Sequence, residues 1–268
     1  MAYNSSGGRL LSAIVLAFFW RGEFDWTSCL SCGGGTGRRW PEAYDPVCRP
    51  VGALCPRLHW GVGALSSQSY SSPLAGERVL EHLAAGLDGA AAVNHALADD
   101  DGRAWRQIHG VSAGGTPFAY TGADCVDWCG HWTGDGVSVA GNMLAGPAVV
   151  AATAEAWENG GDKPFAARLL AALAAGEAAG GDKRGKQSAA LRVVGPEAHS
   201  EIDIRVDDHR DPLGELTRLF KLFWQERRPH FSTMPTRADP SGITDPAART
   251  AAIDAFIASD PHRRLFDA

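Results

Sequence analysis

The clearest pattern in the chain is a two-residue alternation over residues 201–207, where Ile202, Ile204 and Val206 alternate with Asp203, Arg205 and Asp207. That period puts one face of a strand on a core and leaves the other polar. Residues 60–68 read as another strand, with Val62, Ala64, Ser66 and Gln68 on one face, so that Gln68 points the way the apolar residues point. Residues 187–194 form an apolar run expected to be a buried strand. Shorter strands are predicted over 104–111, 118–121 and 137–141, separated by Gly-rich turns and arranged as an antiparallel meander.

Helical spacing occupies the intervals. Ser72-Pro73 supplies an N-cap and a first-turn proline, and Leu80, Leu83 and Leu87 recur along a helix that runs to about residue 86. A second helix is expected over 90–98. Two more, over 147–157 and 164–175, are rich in small and aliphatic residues, the second enough so to be packed. Asp211-Pro212 opens a core helix carrying Leu216, Leu219, Phe220 and Phe223, and Asp245-Pro246 opens a short one to about residue 259. Strands, helix pair, strands, helix pair, strands is the order of a layered α/β sandwich of the α+β kind, not of alternating βαβ units. The expected organisation is an atypical segment over 1–50, the main domain over 51–224 and an appendage over 225–268.

Composition narrows the function classes. The 268 residues are 45% hydrophobic and 21% charged, near ordinary globular values, which excludes a disordered chain. A net charge of -6 with no long Lys/Arg block argues against nucleic acid as a partner. The one long apolar run, residues 10–20, is broken by Ser12 and falls short of the roughly 20 residues that a membrane span requires, so no membrane partner is expected. Arg9 before that run suits a secretory signal, but Arg21-Gly-Glu-Phe-Asp25 follows where a small-residue cleavage site belongs. Six cysteines are too few for a disulfide scaffold, and the expectation is a cytoplasmic protein with free thiols and no cofactor.

Three motifs could carry chemistry. Gly180-x4-Gly185-Lys186 imitates a phosphate-binding loop, but Gln187 stands where a Ser/Thr should bind magnesium, and the loop follows a helix and precedes a strand, the reverse of the required order. The same loop nevertheless crowds Asp182, Lys183, Arg184 and Lys186 beside Gln187 and Ser188, which run into a buried strand where polar groups need partners. Asp207-Asp208-His209-Arg210-Asp211 gathers carboxylates and an imidazole at a strand tip; Asp211 suits helix capping, and the rest could bind a cation or tune a base. Cys125, Cys129 and His131 with Cys29 and Cys32 could supply zinc donors, but one Cys-x2-Cys without a matching pair favours buried thiols, and no metal is expected. No Gly-x-Ser-x-Gly elbow is present.

Several segments in order resemble a bacterial family, domain of unknown function 1028, grouped with the N-terminal-nucleophile (Ntn) hydrolases. They are Val51-Gly-Ala-Leu-Cys-Pro56, Gly61-Val-Gly-Ala64 with Ser67-Gln68, Cys125-x2-Trp128-Cys-Gly-His131, Gly141-Asn-Met-Leu-Ala-Gly-Pro147, residues 180–189, and Arg205-Val-Asp-Asp-His-Arg-Asp-Pro212. The resemblance implies a four-layer αββα sandwich with mainly antiparallel sheets, and an amide-hydrolase ancestry. In such enzymes a Thr, Ser or Cys at the mature N-terminus attacks a carbonyl and its own α-amine takes the proton. Family members open on a strand like Thr-Phe-Ser-Ile-Val-Ala. Here the nearest echo is Ser12-Ala-Ile-Val-Leu-Ala17, preceded by Met1-Ala-Tyr and followed by an insertion-like stretch to Pro50. Processing could expose Ser12, Thr27, Cys29 or Thr36. A frame error or divergence is ranked above processing, because residues 25–50 lack the strand pattern that the central sheets need.

The pocket is therefore expected to comprise Ser12, Gln68, Asn142 and Lys183 as catalytic candidates, with Asp182, Arg184, Gln187, Ser188, Asp208 and His209 binding substrate. Asn142 or Gln68 would donate to an oxyanion, and Lys183 would bind a carboxylate or adjust the nucleophile's pKa. Two functions compete: hydrolysis of a C–N amide bond in a small or peptide-like metabolite, or binding of a small molecule, or assembly, without turnover. Homo-oligomerisation is left open.

Overall fold

The computed structural model describes the backbone of residues 14–20 and 26–33 and the whole of residues 51–260. Its strands form two antiparallel sheets. The larger comprises β1 (Ile14–Trp20), β2 (Trp26–Gly33), β7 (Gly130–Gly134), β8 (Val137–Gly141), β9 (Ser188–Val194) and β10 (Ser200–Val206), in the order β10-β9-β2-β1-β8-β7. The smaller comprises β3 (Pro56–His59), β4 (Gly63–Ser69), β5 (Arg106–Ser112) and β6 (Pro117–Thr121), in sequence order. The helices are α1 (Val51–Leu54), α2 (Pro73–Ala84), α3 (Gly89–Ala96), α4 (Pro147–Asn159), α5 (Phe165–Ala178), α6 (Pro212–Leu222) and α7 (Pro246–Ser259).

Period-2 alternation decides what each sheet face meets. On the smaller sheet, Leu65 of β4, Ile108 of β5 and Phe118 of β6 join Val79 and Leu80 of α2 and Ala92, Val93 and Ala96 of α3 in one apolar cluster. Ala64, Ser66 and Gln68 therefore lie on the opposite face with Val111, His109 and Gln107, since residues directly across an antiparallel pair share a face. On the larger sheet, Val137 and Val139 of β8, Leu191 and Val193 of β9, and Ile202 of β10 pack with α4, α5 and α6. Ser138 and Ala140 fall on the other side, where Ser138 meets His109 across the gap between the sheets. β4 and β8 have no exposed residue at all, because both of their faces are covered.

Three expectations are corrected. The strand read over 60–68 is a hairpin: β3 and β4 flank a turn in which Gly61 takes φ +75°, and Trp60 and Val62 belong to that turn. Residues 137–141 do not continue the meander of β5 and β6 but cross to the other sheet, between β1 and β7. Trp26–Gly33 is an interior strand, paired over 26–32 with β1 and over 27–33 with β9, although residues 25–50 are expected from sequence to lack strand pattern. A strand flanked on both sides draws its order from two ladders of backbone hydrogen bonds and does not need alternating aliphatics of its own. Residues 34–50 lie outside the described residues.

Helix starts follow the sequence more closely. Ser72 Oγ accepts the Ala75 amide at 3.1 Å and Asp245 caps Ala248 at 2.8 Å. Asp211 stands at the N-cap position of α6 without a side-chain capping hydrogen bond; its Oδ1 lies 3.2 Å from Lys186 Nζ. Close packing is severe at Gly110, where an added Cβ would stand 2.3 Å from the Ala64 carbonyl oxygen and 2.7 Å from Leu65 Cβ. Gly110→Ala should therefore cost roughly 1–3 kcal/mol through displacement of β4, read as a lower denaturation midpoint in urea with an unchanged slope; a midpoint equal to wild type contradicts this packing.

Candidate functional site

Between the two sheets lies a cluster of carboxamides with no solvent contact, Gln68, Gln107 and Asn142. Gln107 organises it. Its Nε2 faces the Gly141 carbonyl at 2.9 Å, the Gly130 carbonyl at 3.1 Å and Thr121 Oγ1 at 3.0 Å. Backbone carbonyls can only accept, so the amide orientation of Gln107 has one solution, and its two N–H groups serve three acceptors. Oε1 is left to accept from Gln68 Nε2 at 2.7 Å and Asn142 Nδ2 at 3.1 Å. Gln68 and Asn142 must then turn their NH2 groups inward too, and Ser66 Oγ completes the arrangement by donating to Gln68 Oε1 at 3.2 Å.

The chain continues towards solvent through Thr121, whose Oγ1 lies 2.9 Å from His131 Nδ1. One row deeper, His109 Nδ1 is 3.0 Å from Ser138 Oγ, which donates to the Phe118 carbonyl at 3.3 Å. With its proton directed at that carbonyl, Ser138 accepts from His109 Nδ1–H, and His109 Nε2 is buried with no hydrogen-bond partner among the described residues. Protonating Nε2 would strand an N–H in the interior, and burial, reinforced by the charge of His131, pushes the His109 pKa down to about 3. His109 is thus neutral at pH 7. Burial also lowers the His131 pKa.

The loops at one end of the larger sheet meet next to Asn142. Register places Ile14, at the start of β1, opposite Gly141 on one side and Cys32 on the other, and Cys32 opposite Ala189. The start of β1, the residues after β8, the start of β9 and the end of β10 therefore share one end of the sheet. Residues 180–187 are clamped there: Leu144 bridges Asp182, the Ala145 amide donates to the Gly181 carbonyl at 2.9 Å, and the Lys183 amide donates to the Met143 carbonyl at 2.9 Å. Gly180, Gly181 and Gly185 all take positive φ, the conformation that this clamp requires of its backbone. As expected, α5 precedes the loop and β9 follows it.

The structure gathers most of the predicted residues, in different states. Gln68 and Asn142 meet through Gln107. Asp182 is nearly buried and paired with Arg184 at 2.9 Å, a framework contact. Lys183 is exposed, with Nζ donating to the Asp127 carbonyl. Gln187 donates through Nε2 to Asp208 Oδ1 at 2.7 Å, and its carbonyl accepts the His209 amide at 2.9 Å. Ser188 is buried, with no partner for Oγ among the described residues. Ser12 lies outside the described residues. The zinc reading gains no support from Cys125 and Cys129, whose thiols donate to the carbonyls of Arg106 and Cys125. Burial raises the pKa of both, which keeps them protonated, and no group of three metal-ligating side chains occurs among the described residues.

Sequence reasoning missed Gln107, His109, Thr121 and Ser138. The signal existed: Gln107 and His109 sit two apart in a predicted strand whose alternate residue is Ile108, and Ser138 alternates with Val137 and Val139. A polar face in a strand with a second covered face is indistinguishable from a solvated one until the opposing sheet is placed.

The chain is therefore an α+β protein of antiparallel sheets with a polar, buried seam between them. Within that class it belongs to the family described as "Family of unknown function (DUF1028)", whose model matches residues 45–216. A crystal structure of a Silicibacter pomeroyi protein assigned to the same family is similar to it, with 31% identity, a TM-score of 0.74, and coverage of 88% of this chain and 96% of that one. No curated protein matches. Among the described residues, no helix is long and apolar enough to cross a membrane.

Proposed function

We propose that this chain is an amide hydrolase of the Ntn type, acting on a C–N bond of a small or peptide-like metabolite, and that its two helix-covered sheets are the four-layer αββα sandwich of that superfamily. One observation carries the reading: the register that sets the start of β1 opposite Gly141, directly beside the buried carboxamide cluster. The start of β1 is thus one residue along the ladder from Asn142, and Gln107 orients the NH2 groups of Asn142 and Gln68. Ser12 is two residues ahead of Ile14, and its amine becomes free on cleavage of the Leu11–Ser12 bond. The hydroxyl then attacks the substrate carbonyl, the α-amine takes the proton and returns it to the leaving nitrogen, and water hydrolyses the ester. An amide N–H from Asn142 or Gln68 holds the oxyanion, and Lys183, on the exposed rim, binds a substrate carboxylate or adjusts the nucleophile's pKa.

A binding protein without turnover is the second reading. It is favoured by the internal partners that Gln68, Asn142, Asp182 and Lys183 already hold. A panel of amides and N-acyl amino acids, assayed with wild type, Asn142→Ala and Lys183→Ala alongside intact-mass measurement, separates the two. The hydrolase reading expects turnover, lost on the order of 100-fold in Asn142→Ala as for other oxyanion donors, and a mass reduced by the segment ahead of the nucleophile. Binding without hydrolysis by wild type rejects it. Turnover by a single 28.3 kDa species rejects the N-terminal nucleophile.

A further inference from the structure

One edge of the larger sheet is β10. Among the described residues β10 pairs with β9 alone. Along β10, α6 and the turn after it border a groove of about 500 Å³, with Leu219, Leu222 and Phe223 on one side and Asp203, Ile204 and Arg205 on the other. Leu222 is 40% exposed, one of three large apolar residues so exposed among those described. Natural proteins usually blunt such an edge with a short strand, a proline or a cover. β10 has seven residues and no proline. The opposite edge, β7, is short, has glycine at both ends and lies against β6.

The sequence of β10 is complementary to itself when reversed about Ile204. In that antiparallel register Ile204 meets Ile204, Ile202 meets Val206 twice, and Asp203 meets Arg205 twice. Apolar residues oppose apolar ones on the helix-covered face, where Ile202 and Val206 already belong to the core. Opposite charges meet on the other face, where directly opposed pairs attract. At the two ends Glu201 opposes Asp207, but Arg228 holds Glu201 at 3.3 Å and Arg205 holds Asp207 at 3.1 Å.

We propose that β10 is the dimerisation edge of this protein: a second copy pairs with it antiparallel about Ile204, joining the two larger sheets into one and covering the Leu219–Leu222–Phe223 side of the groove with the partner's Ile204. The interface is separate from the carboxamide cluster and does not depend on turnover there.

Sedimentation velocity on the full chain, over a dilution series, tests this. Wild type sediments as a dimer of 28.3 kDa chains that dissociates on dilution. Arg205→Asp opposes two pairs of carboxylates and raises the dimer dissociation constant about tenfold or more. Asp203→Arg does the same with two guanidinium pairs. The double variant Asp203→Arg/Arg205→Asp restores unlike charges across the two-fold and returns the constant to near wild type, which a merely destabilising effect of either change would not do. Circular dichroism confirms that each variant is folded. A monomeric wild type overturns the proposal and leaves the edge to a different chain's strand. A dimer indifferent to Arg205→Asp places the interface elsewhere, and failure of the double variant to recover overturns this register.

Discussion

Gln107→Met is expected to lower the stability of the chain by about 3–5 kcal/mol, because it takes from the Gly130 and Gly141 carbonyls and the Gln68 and Asn142 amides their common partner, at a side chain with no solvent contact. Each buried group so stranded costs about 1–3 kcal/mol, and local relaxation recovers part of the sum. For a chain of this size each kcal/mol moves the melting temperature by about 2–4 °C, so calorimetry should record a fall of roughly 6–20 °C. Gln107→Glu is the sharper comparison. It keeps an oxygen for Gln68 and Asn142 but sets the second carboxyl oxygen against two backbone carbonyls, which favours the protonated acid and raises its folded pKa above the unfolded value near 4.3. A group with a raised folded pKa gives stability that is fully present below the unfolded pKa and is lost as pH rises through the folded one. Gln107→Glu should thus approach wild type at pH 4 and fall away towards pH 7. A pH-independent difference between the two proteins would show that the carboxyl is not held against those carbonyls.

Acid destabilisation with a one-proton signature is the second large effect. The unfolded chain protonates His109 near pH 6.5, whereas the folded chain resists until about pH 3. Between those values the unfolded state binds the extra proton, so stability falls as pH falls, by up to about 1.36 kcal/mol per unit from this one residue. His109→Asn keeps a donor near the Nδ1 position for Ser138 and cannot titrate. Denaturant titrations between pH 5 and 6.5, above the range where carboxylates protonate, should give a slope against pH smaller by up to one proton in the variant. Equal slopes would mean that His109 is solvated and not held neutral between the sheets.

Both residues show where sequence reading stopped. Alternation is local, and it put Gln68 on one face with Ala64 and Ser66, as in β4. Gln107 obeys the same alternation, but its importance comes from two carbonyls on β7 and β8, which belong to the other sheet. Asp182 and Lys183 were legible as a polar loop, yet the contacts that separate them, Arg184 for one and the Asp127 carbonyl for the other, depend on how that loop is clamped to residues 143–145. Residues 26–33 show the limit from the other side: an interior strand whose own composition carries no aliphatic alternation.

The sequence by itself determined the α+β class, the order of the helices from α2 to α7, the start of α2 at the Ser72 cap and of α7 at Asp245-Pro246, and the helix-loop-strand context of residues 180–188. Those are consequences of periodicity and backbone chemistry within a few residues. Tertiary structure alone decided that residues 137–141 leave the meander for the larger sheet, that residues 26–33 lie inside it, and that Gln68, Gln107 and Asn142 share one hydrogen-bonded centre. Strand pairing and buried amide orientation are settled by partners far apart along the chain, and no local pattern specifies which partner a polar strand face will meet.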